Sequence, residues 1–183
     1  MSSFLHSIYL GFIHVLPFGL DHIAFIICIF LVSYSRKEIL VLSSSFTIAH
    51  SITLYLALSH YISIASVIVE PIIALTILYS ALENIFQLKT IQWRPFLIFF
   101  FGLIHGLGFA NAFELSNETS DLIQLLIGFN LGIEFAQLSI IIGLYFILSK
   151  PFSQKHFYKT KVVQPISSLI ACIAIFWFIN RIF

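Results

Sequence analysis

Seven side chains stand where apolar helices should carry none. Asp21, His22, His50, Glu70, Glu83, His105 and Glu134 lie inside runs of Ile, Leu and Phe, and His14 just precedes the first run. An ionisable group at the centre of a bilayer costs at least about 2.5–3.5 kcal/mol on insertion scales, so such residues are kept for a function. Imidazoles and carboxylates without a neighbouring thiolate form a nitrogen–oxygen ligand set. That set suits Zn, Cu, Fe and Ni and disfavours soft Cu(I). The chemistry indicated is the binding of a divalent transition metal by neutral imidazoles, with carboxylates offsetting its charge. A dication would also supply the counter-charge for Asp21, Glu70 and Glu134, because no lysine or arginine is expected at their depth. Taken singly, His50 or His105 reads equally well as a hydrogen-bonding bridge between helices. The metal reading rests on their number and common depth. Cys28 and Cys172 sit in apolar runs and read as small buried hydrophobes.

Composition defines the elements that must carry these groups. The 183 residues are 60% hydrophobic and 9% charged, with a mean hydropathy of +1.04. A soluble domain carries about 25% charged residues, so that class is excluded. Twenty-one phenylalanines and a net charge of +1 exclude disorder. Nine basic residues balanced by eight acidic ones give no footprint for nucleic acid. The N-terminal MSSFLHSIYLGF lacks a basic n-region and a cleavage pattern, so it is not read as a signal peptide. What remains is an all-α polytopic membrane bundle, one transmembrane domain over 1–183.

Six apolar runs are expected as spans: 19–34, 39–58, 62–86, 95–113, 122–149 and 162–182. The stretch 4–16 is cut off by Pro17 and Gly19 and is expected as an interfacial or re-entrant half-helix occupying 1–17. Eight of the nine basic residues follow spans 1, 3 and 5, whereas ELSNETSD after span 4 holds three acids and no base. The positive-inside rule then puts the basic loops in the cytoplasm and both termini outside. Trp177 and Arg181 read as an interfacial anchor at the end of span 6.

Counted from the outer ends at ~1.5 Å per residue, His50, Glu70, His105 and Glu134 lie roughly 12–18 Å deep, with Asp21 and His22 shallower. Helical spacing puts His50 on one face with Ser43, Thr47 and Thr53, and His105 in a stripe of Gly102, Gly108 and Ala112. Asn130, Glu134 and Gln137 share a face of span 5, and Glu70, Ala74, Ala81 and Asn84 share one in span 3. Asn130, Gln137, Ser51 and Thr47 are expected to orient the ligands. Glu83 points away and is expected to snorkel or to pair with Lys89 or Arg94. Apart from Asn84 and Glu83, no second polar layer leads to the cytoplasm. His6, His60 and His156 read as solvated or interfacial. Gly19-Leu20-Asp21-His22 and Gly102-Leu103-Ile104-His105 form a weak internal echo.

The stretches 11–25, 46–57, 68–84, 93–95, 101–110 and 127–138 resemble the HupE/UreJ family of bacterial inner-membrane proteins, in its second branch. The resemblance implies a nickel or cobalt permease associated with hydrogenase and urease systems. It marks His14, Asp21, His22, His50, Glu70, His105 and Glu134 as the metal residues. The His14 and Asp21-His22 pattern is similar to the His/Asp signature of nickel–cobalt transporters, with a longer separation. His105-Gly106 is followed by Leu-Gly where better-studied permeases have an acidic residue. The expected function is thus a permease for a divalent metal, nickel first, with cobalt or zinc as alternatives. The other reading is an intramembrane zinc hydrolase-like enzyme acting on a lipid or lipid-linked substrate, with Glu70 or Glu134 as general base. Expected partners are membrane lipid and the metal ion, with a homo-oligomer or accessory subunit left open.

Overall fold

Within a bilayer every backbone N–H and C=O must be satisfied inside its own segment, which leaves helices as the form for such apolar runs. The computed structural model describes residues 3–33, 35–87, 93–110, 122–153 and 155–183, and among them there are helices and no strand. In order come α1 (Ser3–Val15), α2 (Leu20–Val32), α3 (Arg36–Leu58), α4 (Ser66–Phe86), α5 (Arg94–Ala110) and α6 (Leu122–Leu144). A π-helical turn, Tyr145–Ser149, extends α6 into the single turn α7 (Lys150–Phe152). A second π turn, Lys159–Val163, leads into α8 (Gln164–Ile182). The acidic loop 114–121, Lys89, Tyr34 and Ala112 lie outside the described residues.

Local chemistry sets the helix ends. Ser35 caps α3 by accepting the Glu38 backbone N–H at 3.1 Å, in a Ser-x-x-Glu arrangement that satisfies one orphan donor. Gln87 ends α4 in the left-handed region at φ 50°, the usual conformation just past a helix. Pro165, which has no N–H to give, stands just after the π turn Lys159–Val163 passes into α8.

Length and apolarity mark α3, α4, α6 with its π turn and α8 with its π turn as able to cross a bilayer. α1 and α2 meet at 71° across the Pro17–Gly19 break, the geometry of one broken span or of a re-entrant loop such as was expected of residues 1–17. At 17 residues α5 is shorter than these. Among the described residues four or five spans are thus supported. The run expected as span 1 is itself too short, because α2 holds only 13 residues.

Packing is dominated by three pairs: α3 on α5, α1 on α6 and α4 on α8. Glycines set two of them. A Cβ on Gly11 would stand 1.9 Å from the Phe129 carbonyl oxygen, and one on Gly106 would stand 2.3 Å from that of His50. These backbones touch, as small residues allow between membrane helices. α1 is therefore a packed member of the bundle. Between the pairs Phe25, Phe46 and Ile77 fill a core cluster and are almost wholly buried.

Polar side chains join the helices inside this core. Ser43 donates to Gln137 Oε1, and Gln137 Nε2 donates to Thr47 Oγ1 at 3.1 Å, tying α3 to α6. Asn84 donates to the Cys28 carbonyl at 3.0 Å, joining α4 to α2. The largest tie is ionic. Arg94, only 2% exposed, donates through Nε and Nη2 to Glu83 Oε1 at 3.0 and 2.7 Å, and through Nη1 to Glu38 Oε1 at 2.8 Å. Glu83 does pair with Arg94, as its position predicts. The cluster also corrects the expectation that only Asn84 and Glu83 lie on that side. A cavity of about 390 Å³ opens there, lined by Glu83, Asn84, Arg36 and Lys159. Cys172 departs from expectation as well, being exposed while Cys28 is buried.

Candidate metal centre

The break between α1 and α2 folds two histidines toward each other. His14 lies one residue from the end of α1 and His22 in the first turn of α2, and their ring centroids are 4.7 Å apart. α3 contributes His50, 5.9 Å from His14 and 5.5 Å from His22 between centroids. One ligand nitrogen from each of the three lies within 4.8 Å of the others. A metal with bonds of about 2.0–2.1 Å in tetrahedral geometry holds its nitrogens about 3.4 Å apart, so the rings need close by no more than about 1.5 Å.

Burial sharpens the case. His50 is fully buried, and neither ring nitrogen has a hydrogen-bond partner among the described residues. His22 Nε2 is likewise buried without one. An unsatisfied buried polar atom costs about 1–3 kcal/mol, and a metal ion would remove that cost. The donor set fits a borderline dication, because three imidazoles are present and no thiol joins them.

His105 on α5 stands beside the triad, its centroid 5.4 Å from that of His22. Its Nε2 is 2.9 Å from Thr76 Oγ1, and Thr76 donates its own hydroxyl proton to the Ile73 carbonyl at 2.7 Å. The hydroxyl has one proton to give, so it accepts from His105 Nε2–H. That leaves Nδ1 of a neutral ring with its lone pair. Nδ1 is buried and without a partner among the described residues. The histidines of the two Gly-Leu-x-His stretches thus stand side by side, with ring planes at 88°.

A cavity of about 600 Å³ meets this cluster, with His14, His22, His105, Asp21, Glu70 and Arg181 in its wall. His50 lies behind, and the rim carries exposed Phe18 and Leu20. Here the structure corrects the charge reading. Arg181 is no mere interfacial anchor: its Nη2 donates to both Asp21 oxygens at 3.2 and 2.9 Å, and its Nε lies 3.8 Å from Glu70 Oε2. The expectation that no arginine lies at the depth of Asp21 and Glu70 therefore fails. Both acids already have a cation from α8, which the loop-based count placed only at the edge.

The remaining expected residues divide. Glu134 is half-buried on α6 and is not in the wall of this cavity. Asn130 Oδ1 is buried without a partner among the described residues. Gln137 and Thr47 hold α3 to α6, and Ser51 donates to the Thr47 carbonyl at 2.6 Å. These bonds brace helix against helix and side chain against backbone, and their partners are not imidazoles. His6, His60 and His156 are exposed, as expected. Thr76 and Arg181 are what sequence reasoning missed. Thr76, Ser80 and Asn84 recur every four residues on one face of α4, a polar stripe that could have pointed to His105.

An all-helical bundle with apolar spans and a buried histidine cluster defines a multi-pass membrane protein with a candidate metal site. The comparison with families identifies it further. The family described as HupE / UreJ protein matches residues 1–181, and the chain belongs to that family. No curated protein and no solved structure matches the chain.

Proposed function

We propose that this protein is a permease passing a divalent transition metal, nickel first and cobalt second, through the bacterial inner membrane. The observation that carries the reading is the meeting of His14, His22 and His50 from three helices, with both nitrogens of His50 buried and unpartnered among the described residues. The association of the HupE/UreJ family with nickel and cobalt transport supports it. In this reading Asp21 and Glu70 face the arriving ion at the outer cavity. His14, His22, His50 and His105 replace its water, with Glu134 of α6 as a further ligand at their depth and Asn130 orienting the ligands. Neutral imidazoles bind Ni²⁺ above Co²⁺ in the usual order of affinities. With the basic loops cytoplasmic, the membrane potential drives the ion inward by about 2.3 kcal/mol per charge per 100 mV, twice that for a dication.

Cells stripped of other nickel uptake routes test the proposal. Expression of the protein should restore accumulation of nickel, and His50→Ala should abolish it. Equal accumulation by the mutant, with equal protein in the membrane, would sink the reading.

The three-histidine geometry favours one second reading, a zinc centre with an open fourth position for water. It predicts one equivalent of metal surviving dialysis of the purified protein, whereas the permease predicts rapid exchange.

A further inference from the structure

Asp21 from the first turn of α2 and Glu70 from α4 converge on a single guanidinium, that of Arg181 in the last turn of α8. The arginine is held at several points. Nη2 spans both oxygens of Asp21 at 3.2 and 2.9 Å, Nη1 donates to the Glu70 backbone carbonyl at 3.2 Å, and Nε lies 3.8 Å from Glu70 Oε2. One turn earlier on α8, Trp177 offers its ring 5.5 Å from the guanidinium carbon. All four residues line the cavity that holds His14, His22 and His105. A cation thus already sits on the carboxylates in the wall of the cavity that reaches the histidines.

We propose that Arg181 is the specificity-determining residue of this cavity: a resident counter-cation that an arriving ion must displace from Asp21 and Glu70, and that only a doubly charged ion displaces at a gain. The proposal rests on the metal reading above. Two carboxylates and one guanidinium leave one negative charge among the three groups. A monovalent ion taking the guanidinium's place exchanges one charge for one. It also forfeits a fork of charge-assisted hydrogen bonds that no spherical ion reproduces. A divalent ion doubles the positive charge facing the pair and neutralises it. Arginine suits the task better than lysine, since its charge persists at every accessible pH and its planar fork fits carboxylate geometry. Displacement also lifts the guanidinium from Trp177, which turns that indole into a reporter.

The test uses the whole protein in detergent with Trp93→Phe, leaving Trp177 as the one tryptophan of the chain's two. Zn²⁺, a d¹⁰ ion without redox chemistry, is the probe. Zn²⁺ should shift the Trp177 emission in the Trp93→Phe protein, and adding Arg181→Gln should remove that shift. Equilibrium dialysis should find Zn²⁺ bound about tenfold more tightly once the competing charge is gone. Replacing choline chloride by sodium chloride at equal concentration should weaken Zn²⁺ binding in the Arg181→Gln protein and leave the parent unaffected. Arg181→Lys, which keeps the charge without the fork, should fall between them, and it decides the sodium comparison if Arg181→Gln does not fold. Unchanged or weaker binding on loss of Arg181, or sodium competing equally in parent and variant, overturns the proposal. His50→Ala in the same background separates the two claims. Loss of Zn²⁺ binding there upholds the histidine site whatever Arg181 does, and a parent that binds no Zn²⁺ fails both.

Discussion

The tautomer of one histidine is decided by a threonine. Thr76 gives its single proton to the Ile73 carbonyl and so must accept from His105, which fixes Nδ1 as the free lone pair. Partners that orient a ligating imidazole typically contribute 10–100-fold in metal affinity. Thr76→Val should therefore weaken nickel binding by about 10–100-fold, with Thr76→Ser retaining it, as measured by equilibrium dialysis of folded protein. An unchanged affinity in Thr76→Val would remove His105 from the ligand set. At this scale the histidines were legible in the sequence, because an imidazole in an apolar run stands out by type alone. Their partners were not. A threonine is unremarkable in a membrane helix, and Arg181 near a span end looks like any headgroup anchor. Both acquire meaning only when another helix is set against them, and no periodicity within one helix encodes that.

Whole elements were legible in proportion to their length. The long runs became α3, α4, α6 and α8 near their expected bounds. The short run after Pro17 did not stand alone, since its 13 residues fall short of a crossing by themselves. Hydropathy records what is apolar but not which pieces are laid end to end. Three elements meet at Arg94, which starts α5 and grips Glu83 of α4 and Glu38 of α3. Removing one member of a buried ionic group leaves the others uncompensated, at a cost of about 3–5 kcal/mol. Arg94→Met should lower the thermal midpoint in detergent sharply. The double change Arg94→Met, Glu83→Gln should recover most of the loss, because it removes the buried carboxylate that Arg94 neutralises. A midpoint unmoved by Arg94→Met would show that the cluster carries no such weight.

For the molecule as a whole, charge asymmetry is the strongest guide to orientation. The basic loop after α6 and the short polar segment between α3 and α4 should face opposite sides of the membrane. In a Cys172→Ser background Cys28 is the remaining thiol and is buried, so single cysteines can report position. A membrane-impermeant maleimide should label Ser63→Cys in intact spheroplasts and Lys155→Cys only after lysis. The reverse pattern would invert the proposed path of the ion. The two cavities obey the same polarity, one at the Asp21–Glu70 ends of α2 and α4 and the other at their Phe30–Glu83 ends. Between them stands apolar packing around Cys28 and Ile77. Sequence alone showed the first polar layer; the second depends on Arg94 and Glu38 folding inward, which loop counting assigns to the surface.

Because the bundle is assembled from tight couples of helices, its weakest seams run between couples. His14 rides with α1 and α6, His50 with α3 and α5, and His22 sits on α2 at their junction. An ion lodged among those three rings would rivet separate bodies together, and withdrawing it would leave them free to slide as blocks.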